Sequence, residues 1–516
     1  MTPSEHSEAD ATSATAVDSR ALPGTFRVEV ARGIQQHLGP DGQPVLLGGD
    51  PLRLLRLSPT SSAVVEALRS GHTLSEAATN CRVSLRSVTS LVRRLLDSGI
   101  VHPRFPDAER RATSDNDVTI VVPVKDRAVQ LDRLLTSIRH SPDTASCDVI
   151  VVDDGSRADE RDRIATSVRR HRATLIRHEQ SLGPAGARNV GAGATTTGSI
   201  AFVDSDCEVT PDWLSRCLAH FDDPCVAVVA PRIVAMPSAS NHPVHAYESV
   251  HSSLDLGSQP ARVAPMHRVA YVPAAALVVR RRTFEDLRGF NEDLHVGEDV
   301  DFVWRANICA HTVRFEPGAH VAHDHRTSWR AFSQRRFQYA TSTALLDRLH
   351  PGQVPPIVIS PWSVGAWAGI GSQSMIGLGG ALGLVGYSAA KFATKLAMLR
   401  EPGPVAARLV FRGHLGAGRQ LASATWRAYL PLTLVASVIS RRARRWALAT
   451  AVIANVLDFR DRKPRLNPLT YVAIRLLDDT SYCAGLWWGC MTTRNLRPLK
   501  PKVVNWPGRR SVTEDS

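Results

Sequence analysis

The chain has 516 residues, more than a single hydrophobic core usually organises, so two or three domains are expected and one of them can be a complete enzyme. Its 62 Lys and Arg against 49 Asp and Glu leave a formal charge of +13, a balance suited to an anionic partner such as nucleic acid, a lipid headgroup surface or a phosphorylated substrate. Eight cysteines are scattered without a C-x-x-C pair, which argues against a zinc ribbon or a dense disulfide framework and for reduced thiols in a cytosol.

Residues 1–24 are acidic and rich in Ser, Thr and Ala, with no basic start before an apolar run, so they read as a disordered tail and not as a secretory leader. Residues 25–105 read as a small separate domain. It opens with the extended stretch TFRVEV and continues with three helical patterns: SPTSSAVVEALRSG with Ser58 as cap, TLSEAATN with capping-box spacing from Thr73 to Glu76, and SLRSVTSLVRRLLDSG. IVHPRF then supplies a wing strand. Such a winged-helix-like plan suits a DNA reader, with Arg82, Arg86, Arg93 and Arg94 on phosphates, or a module that docks a peptide or protein; the latter is favoured because the helix is rich in apolar residues.

After the polar linker PDAERRATSDND, apolar runs of strand length alternate with helical patterns from Val118 onward. The alternation predicts a parallel α/β sheet, in a domain spanning 117–345. Residues 346–500 become apolar and helical. Within them, VGAWAGIGSQSMIGLGGALGLVGYSAA carries no charge and reads either as a membrane span or as a buried or interfacial hairpin. Two shorter apolar runs flank RRARR at Arg441 to Arg445, a pattern expected of a patch on the cytoplasmic membrane surface. Residues 501–516 read as a tail.

Four motifs carry chemistry. VIVVDDGS sets Asp153 and Asp154 beyond the carboxyl end of a strand, where open α/β sheets hold ligands; alone, it reads equally as a strand-to-helix turn. SLGPAGARNVG supplies Gly183, Gly186, Gly191 and the cation Arg188 where a helix begins, so backbone amides can approach a phosphate. AFVDSDCEV places Asp204 and Asp206 two apart, hard oxygen donors able to face one divalent cation. GFNEDLHVGEDVDFVWR opens a helix with Glu298 and Asp299, where a carboxylate can act as general base on an acceptor hydroxyl or merely cap the helix. His323 and His325 of GAHVAHDHR could reach a metal or diphosphate, and Trp304 could line an acceptor site or pack in the core.

In this order the motifs resemble the family 2 glycosyltransferases of the GT-A fold. The resemblance implies nucleotide-sugar contacts from Pro123, Asp126, Asp154, Arg188 and Asp204. It also implies Mg²⁺ or Mn²⁺ held by Asp206 and Asp204, with His323 as a further ligand, and an inverting base at Asp299 helped by Glu298. SQRRFQYA contains Arg335, Arg336 and Phe337 but no Trp, so the Q-x-x-R-W motif of processive synthases is not intact and a translocating polysaccharide synthase is disfavoured. Over residues 45 to 500 the domain order is similar to the mycofactocin-pathway glycosyltransferases. That family implies a UDP-glucose donor, a small peptide-derived redox precursor as acceptor and a short β-1,4-glucan product. No nucleic-acid partner is expected, and the basic cluster at Arg441 to Arg445 points to a location at the cytoplasmic face of the cell membrane. A cell-envelope glycan or lipid acceptor, and a DNA-binding winged helix with a nucleotide-sensing domain, remain as alternatives.

Overall fold

The computed structural model describes residues 21–106, 117–237, 242–325 and 328–504; of the expected tails at 1–24 and 501–516, residues 1–20 and 505–516 lie outside them, as do linker residues 107–116, whereas Leu22 joins the N-terminal core and Lys502–Val503 pairs with Val358–Ile359. The N-terminal unit begins with β1 (Val28–Val30) and the antiparallel meander β2 (Gln35–Leu38), β3 (Pro44–Gly48) and β4 (Arg53–Arg56). Helices Pro59–Arg69, Leu74–Cys81 and Leu85–Asp97 follow, and β5 (Val101–Pro103) returns antiparallel to β1. Each helix starts at a hydroxyl cap: Ser58 and Ser84 each accept an amide of the first turn, and Thr73 and Glu76 form both bonds of a capping box. Val64, Leu68, Leu74, Val88, Val92 and Leu95 meet in one buried core.

The last of these helices is turned partly toward the rest of the chain. Arg93 donates to the fully buried Asp223 at 2.7 Å, and Asp97 accepts from Arg262 at 3.2 Å. Arg93 is therefore paired inside the protein, whereas Arg82, Arg86 and Arg94 are exposed.

The central sheet comprises β6 (Val118–Val124), β7 (Asp148–Asp154), β8 (Thr174–His178), β9 (Ser199–Val203), β10 (Cys207–Val209), β11 (Val226–Ala235), β12 (Ala261–Val263), β13 (Ala276–Arg280) and β14 (Thr312–His323). Its order is β10-β14-β11-β13-β9-β6-β7-β8, with β12 on β14. The expected parallel sheet is corrected to a mixed one. β6 to β9 pair in parallel, but β13 lies antiparallel between β9 and β11. A fully buried strand such as ALVVR is apolar on both faces, so its residues carry no mark of direction. The reversal has a consequence for the site: β13 begins where β9 ends, and the Ala275 carbonyl accepts the Asp204 amide at 2.9 Å.

Beyond the sheet, helix Trp329–Thr341 packs against the long helix Pro468–Thr492. Gly485 and Gly489 permit that contact, since a Cβ at either would collide with the Phe337 or Thr341 carbonyl oxygen. A buried charge network ties the two regions: Arg336 faces Glu248 at 3.1 Å and Asp478 at 3.3 Å, and Arg427 faces Asp479 at 3.2 Å. The charge-free stretch folds as a hairpin of helices Pro361–Gly371 and Met375–Lys395. Among the described residues Met375–Lys395 is the one helix long and apolar enough to cross a membrane. Helix Leu430–Ile439 and the Arg-rich helix Arg441–Ala449 have no buried residue.

Candidate active site

A cleft of about 850 Å³ opens at the carboxyl end of β9 and is bounded on its far side by the C-terminal helices. Its centre is Arg188. The helix Gly183–Gly193 starts at Gly183, whose φ of +82° suits glycine, and Gly191 lets it press on the sheet, where a Cβ would strike Val121. Arg188 thus lies in the second turn, not at the helix start, and its buried guanidinium points into the site. It donates to Asp204 at 2.6 Å and to Glu298 at 2.9 Å. Burial opposes its charge, but Asp204 and Glu298 outweigh that and hold it protonated more firmly than usual.

Glu298 and Asp299 open the helix Glu298–Ile308 behind Gly297, which takes φ +88°. Burial pushes the Glu298 carboxyl up to about 7, the adjacent Asp299 charge adds to this, and Arg188 opposes it. Burial also raises Asp299, although its oxygens accept the amides of Ala274 at 3.1 Å and Val300 at 2.8 Å. Trp304 is buried, its indole donates to the Ala270 carbonyl at 2.7 Å, and it both packs the core and lines the cleft.

Asp206 faces the same cleft. β10 pairs Cys207 with His323, which brings the His323 Nε2 to 3.6 Å from Asp206, and Arg127 forms an ion pair with Asp206. Burial works to raise Asp206, but His323 and Arg127 outweigh it and hold the carboxyl below its usual range. Beside them, burial together with His323, His245 and Arg336 pushes His325 down to about 3, which leaves its imidazole neutral. The buried Nε2 of His325 has no hydrogen-bond partner among the described residues.

The other sequence candidates lie at the rim of the sheet. Asp154 accepts from Ser181 at 2.6 Å, Leu182 at 2.6 Å and Gly183 at 3.0 Å, so it holds the loop that enters the Arg188 helix. Asp126, at φ +55°, donates its amide to the Ser156 hydroxyl oxygen at 2.9 Å, and its carboxylate accepts the Arg157 amide at 2.8 Å. Pro123 pairs with Val152 one strand away. Asp126, Asp154 and Pro123 do not line the cleft, whereas Arg188, Asp204, Asp206, Glu298, Asp299 and His323 do. Arg127 escaped sequence reasoning because it is one more basic residue in V-K-D-R. Tyr271 escaped it because nothing near it in the sequence marks a site.

Two acidic oxygen donors and an imidazole are a donor set that suits a hard divalent cation. Among the described residues no group of three His, Cys, Asp or Glu is already gathered for one.

Comparison with known proteins sets the class. Residues 119–288 match the Glycosyl transferase family 2 sequence model. The chain is also 40% identical over 493 residues to the pre-mycofactocin glycosyltransferase of Mycobacterium tuberculosis, covering 93% of this chain and 98% of the relative. Succinoglycan biosynthesis protein ExoO of Rhizobium meliloti is 29% identical over 39% of this chain and 59% of its own length. A mannosyltransferase of Pyrobaculum calidifontis solved with GDP-Man and Mn²⁺ aligns with TM-score 0.37 and 17% identity, over 72% of this chain and 91% of that one. The chain belongs to the pre-mycofactocin glycosyltransferase family, within the family 2 glycosyltransferases.

Proposed function

We propose that the protein transfers glucose from UDP-glucose to pre-mycofactocin, a peptide-derived redox cofactor precursor, with inversion at the sugar carbon, and that it extends the product into a short β-1,4-glucan. The observation that carries this reading is the convergence of Asp204, Arg188, Glu298 and Asp299 on one cleft, in a chain so similar along its length to a pre-mycofactocin glycosyltransferase.

Asp299 accepts the proton of the acceptor hydroxyl, whose oxygen attacks the anomeric carbon as the bond to UDP breaks and UDP leaves with the electron pair. Arg188 orients Glu298 and Asp204 and supplies a buried positive charge beside the departing diphosphate. Asp204 and Asp206 would hold Mg²⁺ or Mn²⁺, with His323 as a further donor, and the ion would supply Lewis-acid stabilisation of the charge on the leaving group. Asp126, Asp154 and Pro123 shape the nucleotide end of the site, Asp154 by fixing the loop at 181–183.

The N-terminal unit at 25–105 is assigned to docking the peptide-derived acceptor or a partner protein, as a winged-helix-like module. The apolar, Arg-flanked C-terminal helices support a location on the cytoplasmic face of the membrane. The test is direct: purified protein with Mn²⁺ or Mg²⁺, UDP-glucose and pre-mycofactocin is assayed for UDP release and for products heavier by whole hexose units. Absence of both, with active protein shown by donor binding, would end this reading.

A further inference from the structure

The wall of the cleft beyond Asp299 has a chemistry different from that of the donor end. Three elements bring a tyrosine each: Tyr271 from the segment before β13, Tyr339 from helix Trp329–Thr341 and Tyr482 from helix Pro468–Thr492. The chain has only 7 tyrosines, so three at one wall from three distant segments is a concentration that needs a reason. All three are half-buried. Among the described residues none of their rings stacks on another aromatic ring; the groups over them are guanidiniums, Arg335 at 5.3 Å from Tyr339 and Arg427 at 3.6 Å from Tyr482.

The three phenols line the same cleft as the proposed base. Burial raises the Tyr271 phenol, Asp299, Tyr339 and Tyr482 add to this, and Arg336 opposes it. The Tyr271 hydroxyl is spent on the Ser253 carbonyl at 3.0 Å, which leaves its ring as the feature presented to a ligand. Arg336 and Arg427 also reach this wall, but Glu248, Asp478 and Asp479 neutralise them. The wall offers stacking surface, with Arg335 over Tyr339 as its remaining cation.

We infer that Tyr271, Tyr339 and Tyr482 form the acceptor subsite, a stacking wall for an uncharged ring whose hydroxyl is delivered to Asp299, so that a C-terminal helix outside the family 2 match helps choose the acceptor. Aromatic faces bind flat rings and the C–H faces of pyranoses alike. The shared chemistry therefore covers both a first acceptor with an aromatic ring and a glucosylated one. The inference rests on the glycosyltransferase reading above and assigns it an acceptor-binding surface.

The experiment measures KM for pre-mycofactocin and, separately, for its mono-glucosylated form, alongside calorimetric UDP-glucose binding. Tyr482→Ala is expected to raise acceptor KM by about tenfold or more for at least one acceptor, with donor affinity within about twofold, and Tyr482→Phe to retain an acceptor KM within about threefold. The acceptor more affected tells whether an aromatic ring or a pyranose stacks there. An unchanged acceptor KM in Tyr482→Ala overturns the subsite alone. A wild-type enzyme that binds UDP-glucose yet transfers to neither acceptor overturns the acceptor reading and the subsite with it. Should Tyr482→Ala lose donor binding by misfolding, Tyr339→Leu on the other helix decides, with an unchanged acceptor KM counting against the wall.

Discussion

Arg188 and Glu298, separated by 110 residues in sequence, form a buried ion pair with 2.9 Å between Nη1 and Oε1. The pair joins the glycine-rich helix to the acidic helix, and Asp204 completes it from the end of β9. Breaking a buried pair by removing one partner leaves an uncompensated charge, at a cost of about 3–5 kcal/mol. Arg188→Met is therefore expected to lower unfolding stability by roughly this amount and kcat by about a hundredfold or more. Denaturant unfolding and single-turnover kinetics check both; a variant as stable as wild type would show that the pair carries no structural weight.

The pH dependence follows from Glu298. Its folded value of about 7 lies above the unfolded carboxyl near 4.5, so the folded state holds the proton more tightly. As pH rises from the unfolded value through the folded one, wild type loses stability relative to Glu298→Gln, whose side chain is neutral throughout. In activity the sign is opposite: the ionised pair is the working form, so kcat/KM of the free enzyme falls as pH drops below about 7. A pH profile with no acidic limb near neutrality, or one unaltered by Glu298→Gln, contradicts this assignment.

Asp206 tests the metal. With its carboxyl held ionised by His323 and Arg127, it is ready to bind a cation at neutral pH, so Asp206→Asn should raise the Mn²⁺ concentration needed for half-maximal UDP release by about tenfold or more. EDTA should remove wild-type activity, and added Mn²⁺ or Mg²⁺ should restore it. Full activity in EDTA would exclude the metal role.

Gly191 tests how the helix carrying Arg188 is seated. A Cβ there meets the buried Val121 and, at 3.1 Å, Val152. Gly191→Ala should cost about 1–3 kcal/mol by overpacking and displace Arg188 from Asp204. A lower melting temperature together with a reduced kcat is the expected pair of results.

The order of the acidic and glycine-rich motifs was legible because each marks a strand end or a helix start, and those positions follow from local pattern. The reversed strand β13 was not, since ALVVR buries both faces and carries no directional signal. Arg188 was legible as a residue but misplaced by a turn of helix. Asp154 was legible as a carboxylate at a strand end, whereas its bonds to Ser181, Leu182 and Gly183 depend on a loop that returns to it from 27–29 residues away. The tyrosine wall was not legible at all, because Tyr271, Tyr339 and Tyr482 meet only when the C-terminal helices close on the catalytic sheet.

Membrane association is expected of helix Leu430–Ile439 and the helix that follows it. Val438 and Ile439 are 81% and 80% exposed, and Arg441, Arg442, Arg444 and Arg445 stand exposed beside them. Arg444 donates to the Ser437 carbonyl at 2.9 Å and the Val438 carbonyl at 3.3 Å, so it caps the apolar helix and should be kept. The other three are free to meet anionic headgroups, each contributing about 1 kcal/mol near the surface. Arg441, Arg442 and Arg445 changed together to Gln should weaken flotation with phosphatidylserine vesicles by roughly a hundredfold in partition coefficient and leave binding to neutral vesicles little altered. Equal flotation of wild type and triple variant would show that the Arg cluster serves something other than a lipid surface, and an absence of flotation in both would remove the membrane from the account of this enzyme.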